Sequence, residues 1–163
     1  MSKRAARLAE RIEQGAAALV AYAQGLSDTQ WSTVVPSDGR QVGTIIHHVA
    51  SVYPIEVHLA NEIAAGRPIT DVTWDGVAEM NAKHAQDHHA SARQDTIELL
   101  RRNSQVAAEA IRAFTDDQLD SSAPVSLNSN APLTAQFLIE DHAVRHSWHH
   151  LAKIKAVLQG RDS

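Results

Sequence analysis

The chain has 163 residues, a length that suits one domain, expected to span 1–163, with a core that needs no covalent staples. It has no cysteine, which excludes disulfides, thiolate metal sites and cysteine nucleophiles. A net charge of -4, no basic block and few aromatic residues give nucleic acid nothing to bind, and there is no signal-like start or membrane-length apolar run, so a soluble, cytoplasmic protein is expected.

In chain order, the first expected helix runs from about Lys3 to Tyr22, with Leu8, Ile12, Leu19 and Tyr22 forming a loose apolar stripe that Gly15 weakens. Residues 25–37 read as a loop holding Trp31 and Pro36. Asp38 and Gln41 have the spacing of a capping box, opening a second helix that runs to about Ala65 and closes at Gly66 and Pro68. Pro54 lies inside it and predicts a bend, or two helices meeting near Tyr53. A short helix is expected from about Trp74 to His89. Ser91 and Gln94 suggest another capping box, opening a helix to about Phe114. The stretch 116–131 is rich in Ser, Asn, Asp and Pro and reads as loop. Val125 and Leu127 alternate with Ser, but the run is too short for a sheet. The last helix is expected from Pro132 to just before Gly160. The sum is an all-α chain of four long helices and a short additional one, and burying four apolar stripes together gives a four-helix bundle.

The chemistry is concentrated in ten histidines: His47 and His48; His84, His88 and His89; His142, His146, His149 and His150; and His58 alone. Residues turn about 100 degrees each around a helix. That rotation puts Ala135, Ile139, Ala143, Ile154 and Val157 of the last helix on one arc, with His146 and His150 near its centre and His142 and His149 on its flank. Two inward imidazoles four residues apart can bind one Zn²⁺ or Ni²⁺, and side by side on an apolar stripe they are costly without a partner. The alternative is two core histidines bonded to neighbours or water.

Such a pair needs a third ligand. On the second helix the apolar arc is carried by Val42, Ile45, Ile46, Val49, Val52 and Tyr53. His48 lies at the edge of that arc, able to reach a seam between helices, and His47 lies nearly opposite and is expected in solvent. Glu56 falls inside the arc if the helix keeps phase past Pro54. It is then a support for a ligand, a fourth ligand or a general base; otherwise the bend turns it into water. In the short helix, His84 and His88 form a weaker i,i+4 pair, His84 and His89 are expected in solvent, and Asn81 either lines a pocket or makes a local contact.

The segments VGTIIHHVA and HSWHHLAKI, with Trp31 and Pro36 ahead of the first and WDGVAEMNAKHA between them, resemble the DinB-like superfamily of metal-binding helical proteins. The resemblance implies a four-helix bundle with a long crossover between helices two and three. It implies one divalent metal ion, Zn or Ni, on His48, His146 and His150 with positions left open, and a homodimer. Some members of that family are thiol-dependent transferases or isomerases. The extra His142 and His149, and Lys153 where Gln is common, depart from the pattern and leave open a displaced set such as His142 with His146.

Three functions follow as expectations. In the first, a metal-dependent transferase uses a low-molecular-weight thiol on a small-molecule substrate, with His142, His149 or Glu56 as base and Arg145 holding a carboxylate. The second is a metal-dependent hydrolase, which needs a carboxylate near the metal. Glu56, Glu140 and Asp141 are the candidates, and only Glu56 faces inward. The third is a metal-stabilised structural or interaction domain without catalysis.

Overall fold

The computed structural model describes residues 2–160; the outermost residues of the expected 1–163 span lie outside it. The elements are α1 (Lys3–Gln24), α2 (Asp28–Trp31), α3 (Val42–Ala64), α4 (Trp74–Asp87), α5 (Arg93–Arg112), α6 (Asp116–Asp120), β1 (Ser122–Val125), β2 (Ala131–Thr134), α7 (Ala135–Ile139), a π-type turn over Glu140–Val144, and α8 (Arg145–Leu158). Four long rods form the bundle: α1, α3, α5 and the continuous α7–α8 unit. α1 packs on α5 and α8, and α3 packs on α5, α7 and α8, so α1 and α3 face each other across the core. The core interleaves Leu8, Ile12 and Leu19 of α1 with Ile45, Ile46 and Tyr53 of α3, Ile97, Leu100 and Ile111 of α5, and Ile139 and Ile154 of the last rod. The expected long crossover joins α3 to α5 and carries α4, which buries no residue fully.

α3 is one helix through Pro54. A proline removes a backbone donor and frees the carbonyl four residues earlier. That carbonyl, on Ala50, accepts a hydrogen bond from Asn103 Nδ2 of α5 at 2.8 Å, so the gap is closed from the neighbouring helix. Glu56, two residues past the proline, therefore stays in phase and is buried at 7 % exposure.

Neither expected capping box forms. α3 starts at Val42, and Asp38 is engaged by Arg40 and Lys153 instead. α5 starts at Arg93, while Ser91 donates to the His88 carbonyl and Gln94 to Glu98. In both places a tertiary or neighbouring partner wins the side chain. The boxes that do form are Ser27 with Gln30 and Thr115 with Gln118.

The stretch read as loop holds α6 and a two-stranded antiparallel hairpin, β1 on β2, with Pro132 in β2 facing Pro124 rather than opening the last helix. The hairpin persists because Ala123 and Val125 point into the core and Ile69 of the crossover bonds to Pro124 and Ser126 on its far side. Thr134 caps α7 by accepting from the Phe137 amide.

Two glycines mark close approaches. A Cβ on Gly43 would lie 2.3 Å from Nε1 of the Trp31 indole, whose N–H donates to the Ser91 carbonyl and so ties α2 to the end of the crossover. A Cβ on Gly15 would lie 3.0 Å from Trp148 Nε1 and 3.3 Å from Ser147 Cβ, so Gly15 lets α8 cross α1 closely.

Candidate metal centre

The last rod does not turn uniformly. The π-type turn over Glu140–Val144 inserts about one extra residue, rotating α8 back by roughly 100 degrees relative to α7. Ser147, Leu151 and Ile154 then take the centre of the buried stripe, and His146 and His150 move to the edge that meets α3. Ser147 is fixed there by a 2.6 Å hydrogen bond with Tyr53 of α3. A uniform register therefore puts His146 and His150 at the centre of the buried stripe, one sector away from the edge they occupy.

At that edge the two histidines meet His48. One nitrogen from each of His48, His146 and His150 lies within 4.8 Å of the others. Ring centroids are 5.2 Å apart for His48 and His146, 5.8 Å for His48 and His150, and 4.9 Å for His146 and His150. His48 and His150 are each 6 % exposed. Burial, then the neighbouring charges led by His146, pushes His48 down to about 3 and His150 to about 2, so both are neutral with free lone pairs at pH 7.

Glu56 stands behind His146, its Oε1 2.7 Å from Nδ1. With Nδ1 engaged by this carboxylate, Nε2 is the nitrogen of His146 that is open to a cation. Glu56 is engaged by His146 and is not one of the three side chains whose donor atoms converge.

The donor set fits a divalent cation. Nitrogens around a tetrahedral zinc stand about 3.4 Å apart, given bonds of about 2.0–2.1 Å. The three nitrogens, within 4.8 Å of one another, would close to that spacing around an ion. Nδ1 of His150 is buried without a hydrogen-bond partner, an unmet cost that a cation bound at that nitrogen would offset.

The other residues named from the sequence lie around this centre. His142 sits in the π-type turn, 3.7 Å from Asp141, outside the converged triad. His149 is exposed at the mouth, its ring 5.2 Å from that of His150, and its pKa is lowered by burial and then by Lys153 and Arg145. Arg145 is exposed and held by Asp141, and Glu140 pairs with Arg11. Asn81 is half-buried on α4.

Two expectations change. His47 and His84 are not in solvent: both are half-buried, with His47 Nδ1 2.9 Å from His84 Nε2 and the His47 and His88 rings stacked at 3.9 Å. Residues 47 and 48 point about 100 degrees apart, so a helix that sends His48 to α8 sends His47 elsewhere. The elsewhere is α4, whose docking place no local sequence pattern reveals. His89 is exposed, as expected.

Arg40 is the residue that sequence reasoning missed altogether. Asp38 grips its Nε and Nη2, Lys153 Nζ reaches the same carboxylate at 3.4 Å, and Nη1 is buried with no partner. Its charge helps depress His48, His84 and His150. Burial alone would raise Asp38, but Arg40 and Lys153 outweigh it and hold its carboxyl below the usual range. A loop arginine carries no periodicity that could have flagged it.

Residues 11–154 match the family model of the DinB superfamily. No curated protein matches the chain. Among solved structures, YfiT from Bacillus subtilis superposes with a TM-score of 0.75 at 20 % identity, over 98 % of this chain and 90 % of its own. It is described as a probable metal-dependent hydrolase with an unusual four-helix bundle topology. No helix among the described residues is long and apolar enough to cross a membrane.

Proposed function

The chain belongs to the DinB superfamily, and on that premise we propose that it is a metal-dependent enzyme in which His48, His146 and His150 hold one divalent cation, zinc or nickel, beside which a small nucleophile is activated. The observation that carries this is the convergence of three imidazoles within 4.8 Å, two deeply buried and the third backed by Glu56. Three neutral protein ligands leave the ion's charge uncompensated and a coordination place open. A cation so held favours the ionised form of a water or thiol beside it.

The chain's own residues divide the remaining tasks. Glu56 holds the His146 ring in one tautomer and orientation. His149, at the mouth and lowered in pKa, is placed to take the nucleophile's proton. Arg40, with Nη1 free, offers a charge-assisted donor to an anionic part of the substrate.

The nucleophile that fits best is a low-molecular-weight thiol, making the reaction a thiol transfer. The chain has no cysteine of its own, and its buried carboxylate at this seam is engaged by His146 rather than free to deprotonate water. Hydrolysis is the second reading, favoured by the likeness to YfiT and its description.

Metal analysis of untagged protein purified without nickel resin tests the centre: H146A and H150A are each expected to hold about one ion per chain fewer than the parent. Unchanged metal content in both variants would remove it. The loaded protein is then given a panel of low-molecular-weight thiols with an alkylating electrophile, and separately an ester or amide without thiol. Enzyme-dependent loss of free thiol supports transfer; turnover only in the second assay assigns hydrolysis.

A further inference from the structure

Beside the buried triad lies a second group of three histidines. His47 comes from α3, His84 from the last turn of α4, and His88 is the residue that caps the C-terminal end of α4. One nitrogen of each lies within 4.8 Å of the other two. The geometry points to a second, outer site for a late first-row divalent cation, held by His47, His84 and His88.

The local structure favours this over three unrelated surface imidazoles. His84 lies in the last turn of α4 and His88 at its C-cap four residues on, which brings both rings to that end of the helix. That end meets α3 at His47, with ring centroids 5.1 Å from His84 and 3.9 Å from His88, and 4.7 Å between the α4 pair. The Nδ1 of His47 and Nε2 of His84 are hydrogen-bonded at 2.9 Å, and a cation replacing the shared proton would open that pair to the roughly 3.4 Å edge of a tetrahedral imidazole site. Nδ1 of His84 is buried without a hydrogen-bond partner. Three imidazoles without thiolate or carboxylate suit zinc, nickel, cobalt or copper, and not magnesium or calcium, which take oxygen ligands.

The site also has a structural task to perform. α4 buries no residue fully, so apolar packing does little to hold it. Its other ties to the bundle are few: Thr44 Oγ1 donates to the His88 carbonyl at 3.1 Å, and Trp31 to the Ser91 carbonyl at 3.0 Å. An ion shared by His47, His84 and His88 would clamp the crossover onto α3. The two triads use different residues and meet at one ring contact, His48 to His84, with centroids 5.5 Å apart. Consecutive residues of α3 thus supply one ligand to each.

The test is a zinc titration of metal-stripped, untagged full-length protein, with metal counted after equilibration at buffered free zinc and amide hydrogen exchange read over 74–87. The parent is expected to bind two equivalents, the second slowing exchange in α4. The double variant H84A/H88A is expected to bind one and to lose the α4 protection. H150A is expected to bind one and keep it, which separates this site from the buried triad. Circular dichroism melting verifies folding, and H88Q alone provides a milder variant with the same expectation. A parent that stops at one equivalent, a second equivalent that survives H84A/H88A, or a second equivalent that leaves α4 exchange unchanged each overturns the outer site.

Discussion

The two histidine groups start from the same turn of α3 and end in different environments. His48 is directed to α8, inside the bundle, where Glu56 and Tyr53 hold the opposing side chains by hydrogen bonds. His47 is directed to α4, a polar helix on the crossover, where the rings stay half exposed. Orientation in the first is enforced by core packing, and in the second by the histidines themselves. Rigid preorganisation belongs to the inner group and adaptability to the outer one, which is the division expected between a reactive centre and a clamp.

Acid should break the comparison most severely. His48 and His150 have folded pKa values far below the unfolded value of about 6.5, so the unfolded state takes up protons first. Stability of metal-stripped protein is then complete above about pH 6.5 and falls as pH drops toward the folded values of about 3 and 2. The loss is expected to be on the order of a few kcal/mol by pH 4.5, read as a lower urea midpoint than at pH 7. A double variant H48A/H150A should show a clearly smaller pH dependence. An equal dependence in parent and variant would place the acid sensitivity elsewhere.

Removal of one inner ligand comes next. H150A should weaken zinc binding at the inner site by more than about 100-fold, because loss of a mere supporting partner already costs about 10–100-fold. Glu56→Ala tests that supporting role. It should reduce inner-site affinity by about 10–100-fold while leaving ligand count and outer-site occupancy unchanged. A loss as large as that of H150A would instead make Glu56 a ligand.

The inner group was legible in the sequence and the outer only as the His84–His88 pair without His47, for a physical reason. His146 and His150 sit four apart on a helix whose apolar stripe defines inside, and His48 sits at the edge of another such stripe; burial is written in those periodicities. The bundle itself was readable on the same ground. α4 has no such stripe, so nothing local says which side of it docks or where, and His47 beside His48 looks solvent-facing until α4 is in place. The hairpin was hidden similarly: β1 and β2 have four residues each, and Ile69, far away in the chain, completes their pairing. The π-type turn has no sequence mark of its own, so the sequence supports only a uniform register for the last helix; nor does anything local announce that Asn103 closes the gap at Pro54, on which the phase of Glu56 depends.

Asn103→Ala probes the smallest effect and the subtlest part of the contrast. Asn103 supplies the donor that Pro54 cannot, and without it the buried Ala50 carbonyl is left unpaired. An unmet buried backbone group costs about 1–3 kcal/mol, and the half-buried position with access for water puts this case near the low end, about 1 kcal/mol. For a chain of this size that is a melting shift of about 2–4 °C. The informative part is where the loosening is felt. His47 and His48 precede the gap and Glu56 follows it, so α3 can flex between His48 and the carboxylate that holds His146. Inner-site zinc affinity should fall by a few fold, in step with the stability loss, and outer-site affinity should not change. If both sites weaken together, α3 transmits the defect as one rigid rod, and the independence of the two groups, both of which draw on its first turns, has to be given up.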